Sequence, residues 1–162
     1  MRTNKMLGTK GEVMQLLKLL GSKLKSDDVI ELLEHLGIDV IYDFDRHHEG
    51  MEDVYWALFY EQGFQFRFNE SQILDVIFLY IIERDGFEPI SKDLIETPIY
   101  ASFTEAKNSF NSLGIEYTNS PDDDPNHMLY QRWIKSKHQG FTTHYEFTDE
   151  KLRMITMSLI TK

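Results

Sequence analysis

Cysteine is absent from the 162 residues, which removes disulfide staples, a thiol nucleophile, thiolate metal sites and a lipidated cysteine. No apolar stretch reaches membrane-spanning length; the longest, from Ile73 to Ile82, is broken by Asp75. The chain starts with basic residues and a few leucines, but Gln15 and Lys18 interrupt them and no small-residue cleavage site follows, so a signal peptide is not expected. There is no glycine-rich phosphate loop, and His35, His127, His138 and His144 lack a Ser or Asp partner at a recognisable spacing, so a hydrolase triad is unsupported. Positive charge is in deficit, with 17 Lys plus Arg against 27 Asp plus Glu and a net charge of −10. A polyanion would be repelled, which disfavours direct nucleic-acid binding, whereas a basic protein would be attracted and its encounter accelerated. Acidity also serves solubility alone. These absences point to a soluble cytoplasmic protein that carries no cofactor, spans no membrane and is not an enzyme.

Apolar residues make up 41% of the chain and aromatics 13%, enough to fill a core. The stretches Trp56–Phe64, WALFYEQGF, and Trp133–Phe141, WIKSKHQGF, each run from tryptophan to Gln-Gly-Phe and lie 77 residues apart. At the same offset Leu36-Gly37-Ile38-Asp39 falls on Leu113-Gly114-Ile115-Glu116, Asp45 on Asp122 and Met51 on Met128. One ungapped offset through residues that carry structure reads as an internal repeat.

Local signals agree. Ser26 followed by Asp27 and Asp28 opens a helix whose stripe is Val29, Leu32, Leu33 and Leu36; Ser102 to Glu105 is a capping box ahead of Ala106, Phe110 and Leu113. Each helix closes on glycine. Strands are expected over 54–60, 64–68 and 73–82, and again over 130–137, 141–147 and 152–160, with a further helix near 12–20. A three-stranded meander has an apolar face that a helix must cover. The fold class is therefore α+β: two tandem helix-plus-antiparallel-meander units with helices packed on one face of the sheet. The units span residues 1–83, including the extra helix, and 98–162, with a connector over 84–97. Trp56/Trp133 and Phe64/Phe141 are expected as core anchors.

A helix ending in Leu-Gly, a Trp-bearing strand, a Gly-Phe strand and the turns Phe68-Asn69-Glu70 and Phe147-Thr148-Asp149 before a last apolar strand form a pattern over about residues 19–160. It resembles the helix-plus-meander unit of the beta-lactamase inhibitor protein and of the small lipoprotein of the outer-membrane barrel-assembly machinery. In a small acidic tandem chain it is also similar to immunity proteins of bacterial polymorphic-toxin and contact-dependent growth inhibition systems. The missing cysteine departs from the lipoprotein relatives, which are anchored through one. The resemblance implies a stoichiometric inhibitor that binds a cognate toxin domain inside the cell and blocks its active site. The acidic charge suits a basic toxin, a nuclease above all, since an enzyme that binds phosphates carries the matching positive surface. The alternative is a non-enzymatic adaptor or structural protein that holds another basic partner through the same sheet face.

Candidate contact residues follow from charge and alternation. Asp43, Asp45, Glu49, Glu52 and Asp53 lie in or beside the loop after the first unit's helix, and Asp122, Asp123 and Asp124 in the matching loop. The run from Asp43 to Glu49 also has metal-ligand chemistry, but ligands close in sequence and in a loop rarely suffice, so it reads as a partner-contact surface. On the Trp56 strand, alternation groups Trp56, Leu58 and Tyr60 on the core side and points Tyr55 and Phe59 outward. Their repeat counterparts are Arg132 and Ser136, so Tyr55 and Phe59 are expected to form an aromatic binding spot.

Overall fold

In the computed structural model, which describes residues 14–45, 47–121 and 131–160, serine and glycine punctuate both helices. Helix α1 spans Asp27–Leu36 and ends at Gly37, φ +66°. Helix α2 spans Phe103–Leu113 and ends at Gly114, φ +70°. At its start Ser102 Oγ accepts the Glu105 N–H at 3.1 Å, and Glu105 Oε1 accepts the Ala101 N–H at 2.8 Å. These bonds satisfy donors that a helix start leaves orphaned. Ser26 holds the same position on α1 but makes no side-chain cap bond, and its buried hydroxyl has no partner.

The helix expected over 12–20 is, within the described residues, a single 3-10 turn at Leu17–Leu19. Beyond it the backbone leaves helical geometry to join the sheet: the Gly21 N–H donates to Leu74 O and the Leu74 N–H to Ser22 O, both at 2.8 Å.

Eight strands complete the fold: β1 Val40–Asp43, β2 Val54–Phe59, β3 Phe64–Phe68 and β4 Leu74–Tyr80 precede α2, and β5 Tyr117–Asn119, β6 Arg132–Lys137, β7 Phe141–Thr148 and β8 Lys151–Leu159 follow it. They make one antiparallel sheet in the order β1-β2-β3-β4-β8-β7-β6-β5. The seam pairs β4 with β8, Ile77 opposite Met157 and Leu79 opposite Ile155.

Register lines the buried side chains into rows that cross the seam. Ser136, Thr143, Met157, Ile77, Phe66 and Ala57 form one row, and Ile134, Tyr145, Ile155, Leu79, Phe64 and Phe59 the next. Their apolar members join Val29, Leu32 and Leu33 of α1 and Phe103, Ala106 and Phe110 of α2 in one core cluster. Rings meet edge-on within it: Phe103 of α2 and Phe147 of β7 at 6.3 Å, and Tyr100, just ahead of α2, and Phe110 at 5.5 Å.

Along β2 the alternation is the reverse of the expected one. Ala57 and Phe59 are fully buried, while Trp56 and Leu58 are half-buried on the opposite face and Tyr60 is 44% exposed. Both alternate sets of this strand are apolar, so a period of two marks a strand without saying which set faces in. The rings of β3 decide it, because Phe59 stacks on Phe64 at 4.3 Å and meets Phe66 edge-on at 4.9 Å. Trp133 is likewise half-buried beside a fully buried Ile134. Phe141 is not a core anchor either: it is only partly buried, at a hairpin end, stacked on His138 at 4.9 Å.

Candidate protein-binding surface

The acids after β1 are not a loose solvated loop. Asp45 turns its carboxylate inward and accepts the backbone N–H groups of Glu49 at 3.0 Å, Gly50 at 2.9 Å and Met51 at 3.1 Å. Those donors, Glu49 first, hold the Asp45 carboxyl below its ordinary value. Asp53 accepts the Tyr42 hydroxyl at 2.8 Å and the Asp45 N–H at 3.0 Å, and Glu70 accepts the Asp53 N–H at 3.4 Å. The bond to Asp53 is the main reason the Tyr42 hydroxyl is pushed up to about 12. Asp43 and the Glu49 side chain make no ion pair among the described residues.

This acidic edge carries aromatic rings. Tyr42 stacks on Tyr55 at 4.9 Å and on Phe44 at 5.5 Å, and Tyr42, Phe44 and Met51 are 49%, 46% and 67% exposed. Large side chains held this open at a sheet edge have the composition of a contact surface.

The face of the sheet opposite the buried rows is partly exposed and chemically divided. In one cross-strand row Ile41, Trp56, Arg67 and Val76 lead across the seam to Ser158, Thr142 and Lys137. In the next, Leu58, Gln65 and Phe78 lead to Thr156, His144 and Lys135. The half built on β1–β4 is thus aromatic and apolar around an ion-paired Arg67, which meets Asp75 at 2.7 Å and Glu52 at 3.6 Å. In these two rows the half built on β6–β8 is hydroxylic and basic, while Glu146 and Met154 lie opposite and beyond Trp133 in the next. Trp133 stacks on His144 at 5.4 Å within that half.

Of the residues singled out in the sequence, Asp43, Asp45, Glu49, Glu52 and Asp53 gather at the β1 edge, and Tyr55 joins them through Tyr42. Tyr55 itself is only half-exposed and packs against the core. Phe59 is removed from the surface altogether, since it belongs to a buried row. Asp122, Asp123 and Asp124 lie outside the described residues. The sequence reading missed Tyr42 and Phe44, whose signal was an aromatic pair at spacing two on an edge strand. It also missed the Trp56, Leu58 and Phe78 face.

His138 proves to have a serine partner, Ser136 Oγ at 2.8 Å from its Nε2, but Ser136 is 1% exposed, where no substrate carbonyl can reach it. Among the described residues no three His, Asp or Glu side chains converge as metal ligands would. No helix among them is long and apolar enough to cross a membrane.

His144 supplies a pH prediction. Burial holds its imidazole below the ordinary 6.5, Lys135 adding to the effect and Glu146 opposing it. The unfolded chain therefore takes up the proton first as pH falls, and stability drops progressively below about pH 6.5. The His144→Gln variant should lose less stability than the wild type between pH 7 and 5 in urea titrations. An equal loss would place the linkage elsewhere, with His138 the next group to replace.

Comparison with known proteins returned no match: no family model, no curated protein and no solved structure is similar to the chain at a significant level.

Proposed function

We propose that the chain is an immunity protein, a stoichiometric inhibitor that binds a cognate toxin domain in the cytoplasm and occludes its active site without chemistry of its own. The observation that carries this reading is a strongly acidic chain whose sheet keeps one aromatic face half-exposed beside an edge of ordered carboxylates. A basic enzyme fits that surface, and a nuclease is the class it suits, because an active site that holds phosphates carries positive charge.

In this reading the chain is two tandem helix-plus-meander units, their helices both on the buried rows and their last strands joined at the seam. Pairing at the seam supports it. An advance of 78 positions carries Ile77 onto Ile155, Phe78 onto Thr156 and Leu79 onto Met157, so the ladder is symmetric about the Phe78–Thr156 pair. Each unit also carries a register shift just before a buried phenylalanine, between Arg67 and Phe68 and between Glu146 and Phe147.

Expressing the domains encoded by adjoining genes tests the reading, since one of them should arrest growth on its own. Co-expression of the chain should restore growth, and Asp43→Lys with Glu49→Lys should slow association and flatten its salt dependence, since rim charges act mainly on encounter. A lethal domain that stays lethal beside well-expressed chain would reject the proposal. Tight binding of a basic partner whose activity is unaffected would identify an adaptor instead.

A further inference from the structure

We propose that the partner is gripped by the apolar patch of Trp56, Leu58 and Phe78 on the half-exposed face, and that its occupant is a segment of a basic protein presenting an apolar side chain. This rests on the reading of the chain as a binder of a basic protein, and it names where on the sheet the contact is made.

Position-by-position comparison across the seam gives the first argument. Leu58 and Lys135 sit at corresponding places on β2 and β6, 77 residues apart, each two residues beyond the tryptophan of its strand. Phe78 stands directly opposite Thr156 in the pair about which the seam is symmetric. The sheet accepts lysine and threonine at one set of these places, so folding does not demand leucine and phenylalanine at the other. Trp56 and Phe78 approach at 6.2 Å, and Ile41, 51% exposed, extends the patch to the sheet edge. Apolar surface that a fold does not require and solvent penalises is the signature of a hot spot.

Charge gives the second. Asp43 shares the face of Ile41 by alternation, and Glu52 and Asp75 bracket Arg67 beside Trp56, so carboxylates outnumber the one cation there. At the far end of the same face stand Lys135 and Lys137, both exposed. A basic segment is drawn to the β1–β4 half and turned away from β6. The occupant this selects is basic, with an apolar residue at its centre.

The test uses the full-length chain and two synthetic decapeptides, one alternating lysine with leucine and one alternating glutamate with leucine. The indole N–H signals of the only two tryptophans report each half separately in heteronuclear NMR. The lysine peptide should shift the Trp56 signal and leave Trp133 in place, and the glutamate peptide should leave Trp56 unmoved. Leu58→Lys and Phe78→Thr, each the residue found at the corresponding place, should weaken the lysine peptide at least tenfold at an unchanged unfolding midpoint. Lys135→Glu with Lys137→Glu should bind it as well as wild type or better. Equal shifts at both tryptophans, or wild-type binding by both Leu58→Lys and Phe78→Thr, would overturn the assignment. Growth protection retained by both of those variants would move the contact while sparing the inhibitor reading. Peptide docking as expected with no toxin neutralised would do the reverse.

Discussion

Replacing Phe59 by alanine should destabilise the fold by about 3–5 kcal/mol, the range for emptying a large aromatic site in a close-packed interior. Phe59 is fully buried, stacked on Phe64 at 4.3 Å and edge-on to Phe66 at 4.9 Å, at the end of a row that runs through Leu79 and Ile155 to Tyr145. Its loss leaves Phe64 and Phe66 without a ring neighbour there, and backbone held by pairing with Phe64 and by the Gly63 N–H to Phe59 O at 2.9 Å cannot collapse to fill the gap. Trp56, three residues back and on the opposite face, is larger but only partly buried, so Trp56→Ala should cost less than half as much. Urea unfolding at constant m-value makes the comparison. Equal losses, or a larger one for Trp56, would return the strand to the opposite facing.

Gly63→Ala is expected to be comparably severe, at about 3 kcal/mol, although it removes nothing. Gly63 has φ +81°, where an L side chain costs about 1–2 kcal/mol. An added Cβ would also lie 2.3 Å from Glu88 O and 2.6 Å from Ile90 N, backbone atoms that cannot swing aside. The connector is held there by the Glu88 N–H to Tyr60 O at 2.9 Å and the Ile90 N–H to Tyr80 O at 2.8 Å, and displacing it forfeits about 1 kcal/mol for each bond. Gly140, its match in the Gln-Gly-Phe repeat, has φ +90° but nothing within 4 Å of an added Cβ. Gly140→Ala should therefore cost only the conformational part. Thermal unfolding of the two variants separates crowding from backbone strain, and equal midpoints would show that the connector does not press on Gly63.

That pair of glycines also marks how far the sequence could be read. The limits of α1 and α2, the cores of β2–β4 and β6–β8 and the antiparallel α+β class were legible because capping residues, glycine stops and period-two runs are local signals. The helix expected near 12–20 is, among the described residues, a 3-10 turn, and the short edge strands β1 and β5 were not delimited. Facing was not, because Val54 to Tyr60 is apolar at every position, and a strand of that kind is oriented by partners distant in sequence. The inverted choice sent Phe59 to the surface and Trp56, Leu58 and Tyr60 to the core, and it hid the face on which we propose the partner contact. The loop acids were found by composition, but their roles were not. Asp45 and Asp53 spend their carboxylates on backbone N–H groups and a tyrosine hydroxyl, so reversing Asp45 would unmake the loop, and Asp43 and Glu49 are the charges to reverse in a steering test.

The central claim is that the half-exposed face of the sheet holds and blocks a toxin domain. Titrating the full-length chain into the isolated toxin domain, with the domain's own catalytic activity as readout, tests this most directly. Activity should fall linearly and vanish at one equivalent of wild-type chain, while the folded Phe78→Thr variant leaves it intact at the same concentration. Undiminished activity with wild-type chain in several-fold excess, or neutralisation by Phe78→Thr as complete as by wild type, would contradict the claim.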